Sequence, residues 1–144
     1  MQNTDSKINI FNESGRKTLP RKRIVNTAKK IIADKNFNNV FNNAIINIIF
    51  VDNKTIKKIN KKYLNHNYAT DVISFKLEDE PLEGEIYISV ETAMTNAVEY
   101  KVSCTEELMR YTIHGILHLL GYEDFSFFER EKMRILEDDY LRQK

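Results

Sequence analysis

The chain has 144 residues and 17.0 kDa, 42% of them hydrophobic and 30% charged, with only four Gly and two Pro. This excludes disordered, collagen-like and low-complexity classes and predicts one α+β domain over residues 1–144. The net charge of +1 conceals a division: residues 1–76 hold 15 Lys+Arg against 5 Asp+Glu, and residues 77–144 hold 7 against 16. A basic half beside an acidic half implies either a polyanionic partner for the basic face or attraction between the two.

The longest apolar run, Ile48–Val51, has four residues, against roughly 20 for a membrane-spanning helix, so no membrane partner is expected. Met1 to Ile10 lacks the apolar core of a secretory signal. The single Cys104 excludes an internal disulfide and fits a reducing compartment. The expected location is the cytoplasm.

In chain order, Lys7–Phe11 reads as a first strand, and Asn12-Glu13-Ser14-Gly15 as a turn. Thr18 is the expected cap of a helix with Pro20 in its first turn. That helix has a buried stripe of Ile24, Ala28, Ile31 and Ile32. Asn36–Asn43, with five Asn, reads as a loop. The Ile-rich segment Ala44–Val51 is a buried strand, and Asp52 caps a short, very basic helix ending near Tyr63. Val72–Phe75 and Glu85–Ser89 are further strands, joined by an acidic loop at Glu78–Gly84. Ser89 caps a helix running to about Lys101. Ser103-Cys104-Thr105-Glu106 opens another that Gly121 stops, and Ser126-Phe127-Phe128-Glu129 opens a last one with Met133, Leu136 and Tyr140 on one face. The expected architecture is a small mixed sheet of about four strands and about five helices, with helices over one face.

Two of the three His are His114 and His118, in His-Gly-Ile-Leu-His. On a helix, positions i and i+4 share a face about one turn apart, close enough to share a metal. A lone helical His is more often a satisfied structural residue; a pair at this spacing, three residues before a helix stop, is harder to read so. Glu123 and Asp124 lie just past that stop, where a carboxylate can swing back toward the pair. His114, His118 and one of these carboxylates would give three protein ligands and one open position, the catalytic arrangement for zinc. Glu123 and Asp124 are equally readable as solvated loop acids. The peptidase pattern requires a Glu directly after the first His, and Gly115 stands there. A two-His, one-carboxylate iron centre also matches the residue types, with nothing else in the chain pointing to iron.

The segment His114-Gly115-Ile116-Leu117-His118-Leu119-Leu120-Gly121-Tyr122-Glu123-Asp124 resembles the His-Gly-x-Leu-His-Leu-x-Gly-Tyr-Asp-His signature of the YbeY family of endoribonucleases and rRNA maturation factors. Ile59-Asn60, Tyr63 and Thr70-Asp71-Val72-Ile73-Ser74-Phe75 are similar to that family's Leu-Asn-x-x-Tyr-Arg and Pro-Thr-Asp-Val-Leu-Ser-Phe segments. Gly84-Glu85-Ile86, leading to Ile88-Ser89, is similar to its Gly-Asp-Ile strand. The resemblance runs from about residue 45 to the C-terminus. It departs at Asp124, where the family has a third His, so that the resemblance implies His114, His118 and Asp124 as the metal ligands, and at Leu64, where it has an Arg.

The resemblance implies one metal ion per chain, zinc first among divalent ions, and a single-strand-specific endoribonuclease. It implies action on rRNA and the small ribosomal subunit, in 16S rRNA 3′-end maturation and ribosome quality control. Glu123 is the candidate for proton transfer. Lys54, Lys57, Lys58, Lys61, Lys62 and the cluster Arg21, Lys22, Arg23 are candidates for following an RNA backbone, with plain solubility as the other reading. Exchanging a His ligand for Asp lowers the formal charge of a zinc site from +2 to +1. Bound water is then less acidic, and activity is expected to peak at higher pH than in a three-His relative. The rival expectation is a non-catalytic ribosome assembly factor whose metal is structural.

Overall fold

The computed structural model describes residues 6–34 and 43–143; most of the expected Asn36–Asn43 loop lies outside them. The element order is β1 (Lys7–Asn12), α1 (Arg21–Ile32), β2 (Ile45–Val51), α2 (Asn53–Leu64), β3 (Val72–Asp79), β4 (Leu82–Ser89), α3 (Val90–Tyr100), α4 (Cys104–Leu119) and α5 (Phe127–Arg142). The four strands form one mixed sheet in the order β1-β2-β4-β3, with β3 antiparallel to β4 and the other pairs parallel.

Alternation along β2 sends its side chains to two different cores. Ile46, Ile48 and Phe50 join Ile24, Ala28, Ile31 and Ile32 of α1 and Leu108, Ile113 and Ile116 of α4 in the main core. Ile49 and Val51 point the other way and pack with Ile56 of α2 and Ile73 of β3. Helices therefore lie on both faces of the sheet rather than one. On the α2 face, β1 and β2 carry Asn9 and Asn47, whose side chains bond each other at 2.9 Å.

Most caps follow the sequence. Asp52, Ser89, Ser103 and Ser126 each accept a hydrogen bond from the backbone N–H three residues on, and Ser126 with Glu129 closes a full capping box. At Ser103 the partner Glu106 instead carries an ion pair to Arg23 of α1 at 2.7 Å. Thr18 does not cap α1: Pro20 occupies the N-cap without a side-chain bond, and the Thr18 carbonyl accepts from Arg16 Nε. The expected acidic loop is mostly strand, because β3 and β4 continue as a hairpin that turns only at Glu80–Pro81. Its consecutive acids Glu78, Asp79 and Glu80 are all exposed, and a solvated strand tolerates them as well as a loop.

Two glycines bring α4 onto the sheet. A Cβ on Gly115 would lie 2.6 Å from Ile86 Cγ2, and one on Gly84 would lie 2.7 Å from Leu119 Cδ1. The close approach lets Ser74 Oγ of β3 donate to the Gly115 carbonyl at 2.9 Å. α4 then ends in a Schellman motif: Tyr122 N–H bonds the Leu117 carbonyl and Gly121 N–H that of His118, with Gly121 at φ +102°.

Candidate metal centre

That stop decides the geometry of the site. His114 and His118 sit one turn apart at the C-terminal end of α4. The reversal at Gly121 brings Asp124 back beside them. His114 Nε2 and His118 Nε2 are 2.9 Å apart, and Asp124 Oδ2 lies 3.4 Å from each. Ligands bonded tetrahedrally to zinc at its usual 2.0–2.1 Å stand about 3.3 Å from one another, so the donor set fits such an ion. Among the described residues, these are the members of the one group of His, Cys, Asp or Glu able to hold a metal together.

Sequence reasoning missed a residue on α5. Glu137 Oε2 accepts from His114 Nδ1 at 2.6 Å, and its Oε1 accepts from Arg110 Nη1 at 2.8 Å. Arg110 Nη2 also bonds Asp138 at 2.6 Å. A carboxylate only accepts, so Glu137 fixes the proton of neutral His114 on Nδ1 and leaves its Nε2 lone pair facing Asp124 and His118. Burial disfavours the charged imidazole of His114. The Glu137 hydrogen bond, with the charges of Glu137, Asp71 and Asp124, outweighs that and raises its pKa above the ordinary range. The arrangement therefore favours a positive charge at this point, whether proton or metal ion.

The centre opens into a cleft of about 450 Å³. One wall is the end of α4 with Glu123, Asp124 and Phe125; the other is β3 and the loop after α2. Glu123 is exposed on the cleft. Leu64, where the resembled family has Arg, lines the same cleft, half exposed. Lys61 and Lys62 do not line it; Lys62 Nζ lies 5.1 Å from the centre of the Tyr63 ring. Lys76 does line it.

The two basic clusters stand apart. Lys54, Lys57, Lys58, Lys61 and Lys62 are all exposed on α2, on the second face of the sheet. Arg21 and Lys22 are exposed at the start of α1, on the first face. Arg23 is tied to Glu106 and to the Leu141 carbonyl, bracing α1 against α4 and α5.

Comparison with known proteins agrees in extent and in detail. A family model described as Endoribonuclease YbeY matches residues 9–144. The chain is 37% identical over 128 residues to the endoribonuclease YbeY of Chlorobium phaeovibrioides, covering 88% of this chain and 84% of that one. It is 48% identical over 99 residues to that of Flavobacterium psychrophilum, covering 67% and 70%. A Thermotoga maritima protein solved in solution superposes with a TM-score of 0.63 at 29% identity, covering 93% of this chain and 86% of the other. With the match spanning the sheet, the His pair and the helix that orients it, the chain belongs to the endoribonuclease YbeY family.

Proposed function

We propose that this chain is a metal-dependent endoribonuclease that cuts single-stranded RNA in rRNA processing. The finer assignment is maturation of the 16S rRNA 3′ end and ribosome quality control, in the cytoplasm on the small ribosomal subunit. The observation that carries the reading is the three-membered donor group His114, His118 and Asp124, of which His118 and Asp124 line an open cleft. A structural zinc site uses four protein ligands and is closed, whereas three ligands beside open space leave a position for water or substrate.

The residues divide the work. His114, His118 and Asp124 would hold the ion, one per chain, with zinc favoured by the two imidazoles and other divalent ions admitted by the carboxylate. When bound, the ion supplies Lewis acidity at a phosphoryl oxygen and acidifies water. Glu137 aims the His114 lone pair and Arg110 holds Glu137 in place. Glu123, exposed on the cleft beside Asp124, is the candidate for moving a proton to or from the reacting phosphodiester. The Lys of α2, with Arg21 and Lys22, would attract the RNA backbone by charge.

Elemental mass spectrometry of untagged protein tests the centre. About one zinc per chain is expected, lost in Asp124→Ala; no metal after gentle purification would overturn the reading. His118→Ala then separates catalysis from architecture. A folded variant that no longer cleaves a single-stranded oligoribonucleotide supports the enzyme. One that unfolds supports the assembly-factor alternative, favoured by the way the donors and Glu137 span α4, the following loop and α5.

A further inference from the structure

A phosphodiester entering the cleft meets the carboxyl groups of Glu123 and Asp124 on the wall that carries His118. Cleavage near that wall needs a fixed cation on the other side to hold the phosphate against them. Among the residues lining the cleft, Lys76 is the one Lys or Arg. Its position follows from the strand. Ser74 and Lys76 point to the same face of β3, and Ser74 bonds Gly115 of α4. Lys76 pairs in register with Gly84, the glycine against which Leu119 packs, and so stands beside the last turn of α4 that bears His118. The pairing slips between Lys76 and Glu78, a bulge that bends the strand at this point. The ammonium lies 3.2 Å from Asp79 in an exposed pair of small worth, easily given up to a phosphate.

The same wall carries an aromatic platform. The rings of His66 and Tyr68 stack with centroids 5.3 Å apart and planes 12° from parallel. Tyr68 is 55% exposed, so a ring face is free for a base. The loop is not loose. Asn60, 2% exposed, donates from Nδ2 to the Tyr68 carbonyl at 3.0 Å, and its backbone carbonyl accepts from His66 N–H at 3.2 Å. Buried Asn60 thus fixes the backbone of both His66 and Tyr68 at the mouth of the cleft.

We infer that this wall is a nucleotide subsite: Lys76 binds one phosphate of the substrate strand, and the His66–Tyr68 stack receives the adjoining base. An unpaired base reaches such a platform and a base held within a duplex does not. The inference rests on the proposed reading of the metal centre as RNA-cleaving.

The test uses zinc-loaded full-length protein and two forms of one single-stranded oligoribonucleotide. The form methylated at every 2′-hydroxyl reports binding by fluorescence anisotropy, and the unmodified form reports kcat and KM. Lys76→Ala is expected to weaken binding and raise KM, and to reduce the log–log salt slope by about 0.7, the share of one phosphate contact. Because Leu64 lines the same cleft, Leu64→Arg added to Lys76→Ala is expected to restore affinity and slope. Tyr68→Ala is expected to weaken binding roughly 5- to 100-fold with the slope unchanged. Zinc content stays at the wild-type value in each. If the wild type binds and cleaves while Lys76→Ala and Tyr68→Ala match it, the subsite is overturned and the nuclease reading stands. If the wild type neither binds nor cleaves, both fall. If affinity drops together with zinc content, the residues act through the metal site and the subsite is overturned.

Discussion

Glu137 shows how a single buried carboxylate sets the direction in which one imidazole, that of His114, offers its lone pair. It receives His114 Nδ1 and Arg110 on its two oxygens while 9% of its side chain remains exposed. A buried charge with two charge-assisted partners is stabilised by them, and leaving either partner alone would be costly. Glu137→Gln keeps the shape but offers one acceptor oxygen for two donors. Metal affinity is expected to fall about 10- to 100-fold, read by competition with a chromophoric chelator. Unchanged affinity with a lowered melting temperature would show a packing role alone. The His pair and Asp124 were legible in the sequence because they lie within eleven residues, on one helix and its stop. Glu137 was not, because its partner is 23 residues away on another helix. One signal was present: it falls among Met133, Leu136 and Tyr140 on the apolar face of α5, where a charge needs a partner.

At the scale of elements, α4 is placed by what its side chains lack. Glycine inside a helix costs about 1 kcal/mol relative to Ala, yet Gly115 is the point at which α4 meets Ile86 and Ser74. Gly115→Ala improves intrinsic helix propensity by that amount and inserts a methyl group 2.6 Å from a fully buried Ile branch. Overpacking of this kind costs about 1–3 kcal/mol, so the clash wins. Urea unfolding is expected to show a net loss of up to about 2 kcal/mol, and a more stable variant would disprove the close-contact account. Metal affinity is expected to fall as well, since His114 is the preceding residue and moves with the helix. The helix and its caps were readable from Ser103 and Gly121. The contact was not, since nothing local identifies the strand beneath. The same limit hid the length of the β3–β4 hairpin: Glu78 to Glu83 look loop-like until pairing with a neighbour makes them strand.

At the scale of the whole molecule, the order of strands and helices gave the α+β class, but the expectation of helices over one face failed because the alternation in β2 feeds two cores, one under α1 and α4 and one under α2. Placing α2 on the second face sets its five exposed Lys away from the first core, where α4 has drawn several acids together. Glu107 is one of them, 4% exposed at the first turns of α4. Burial raises its pKa; the Tyr111 hydrogen bond and Arg110 oppose that rise, and the charges of Asp71 and Glu137 add to it. A carboxyl group whose pKa is higher in the folded state penalises folding at every pH above that value. The penalty fades as pH falls through the folded pKa and vanishes below the ordinary carboxylate range. Glu107→Gln removes the charge and keeps an oxygen for the Tyr111 hydroxyl. The variant is therefore expected to be more stable than wild type near neutral pH, with the difference closing on acidification. Urea midpoints at about pH 7.5 and about pH 4 measure both ends of the window. A variant less stable at neutral pH would mean that the attraction of Arg110 for the ionised carboxylate exceeds the cost of burying it.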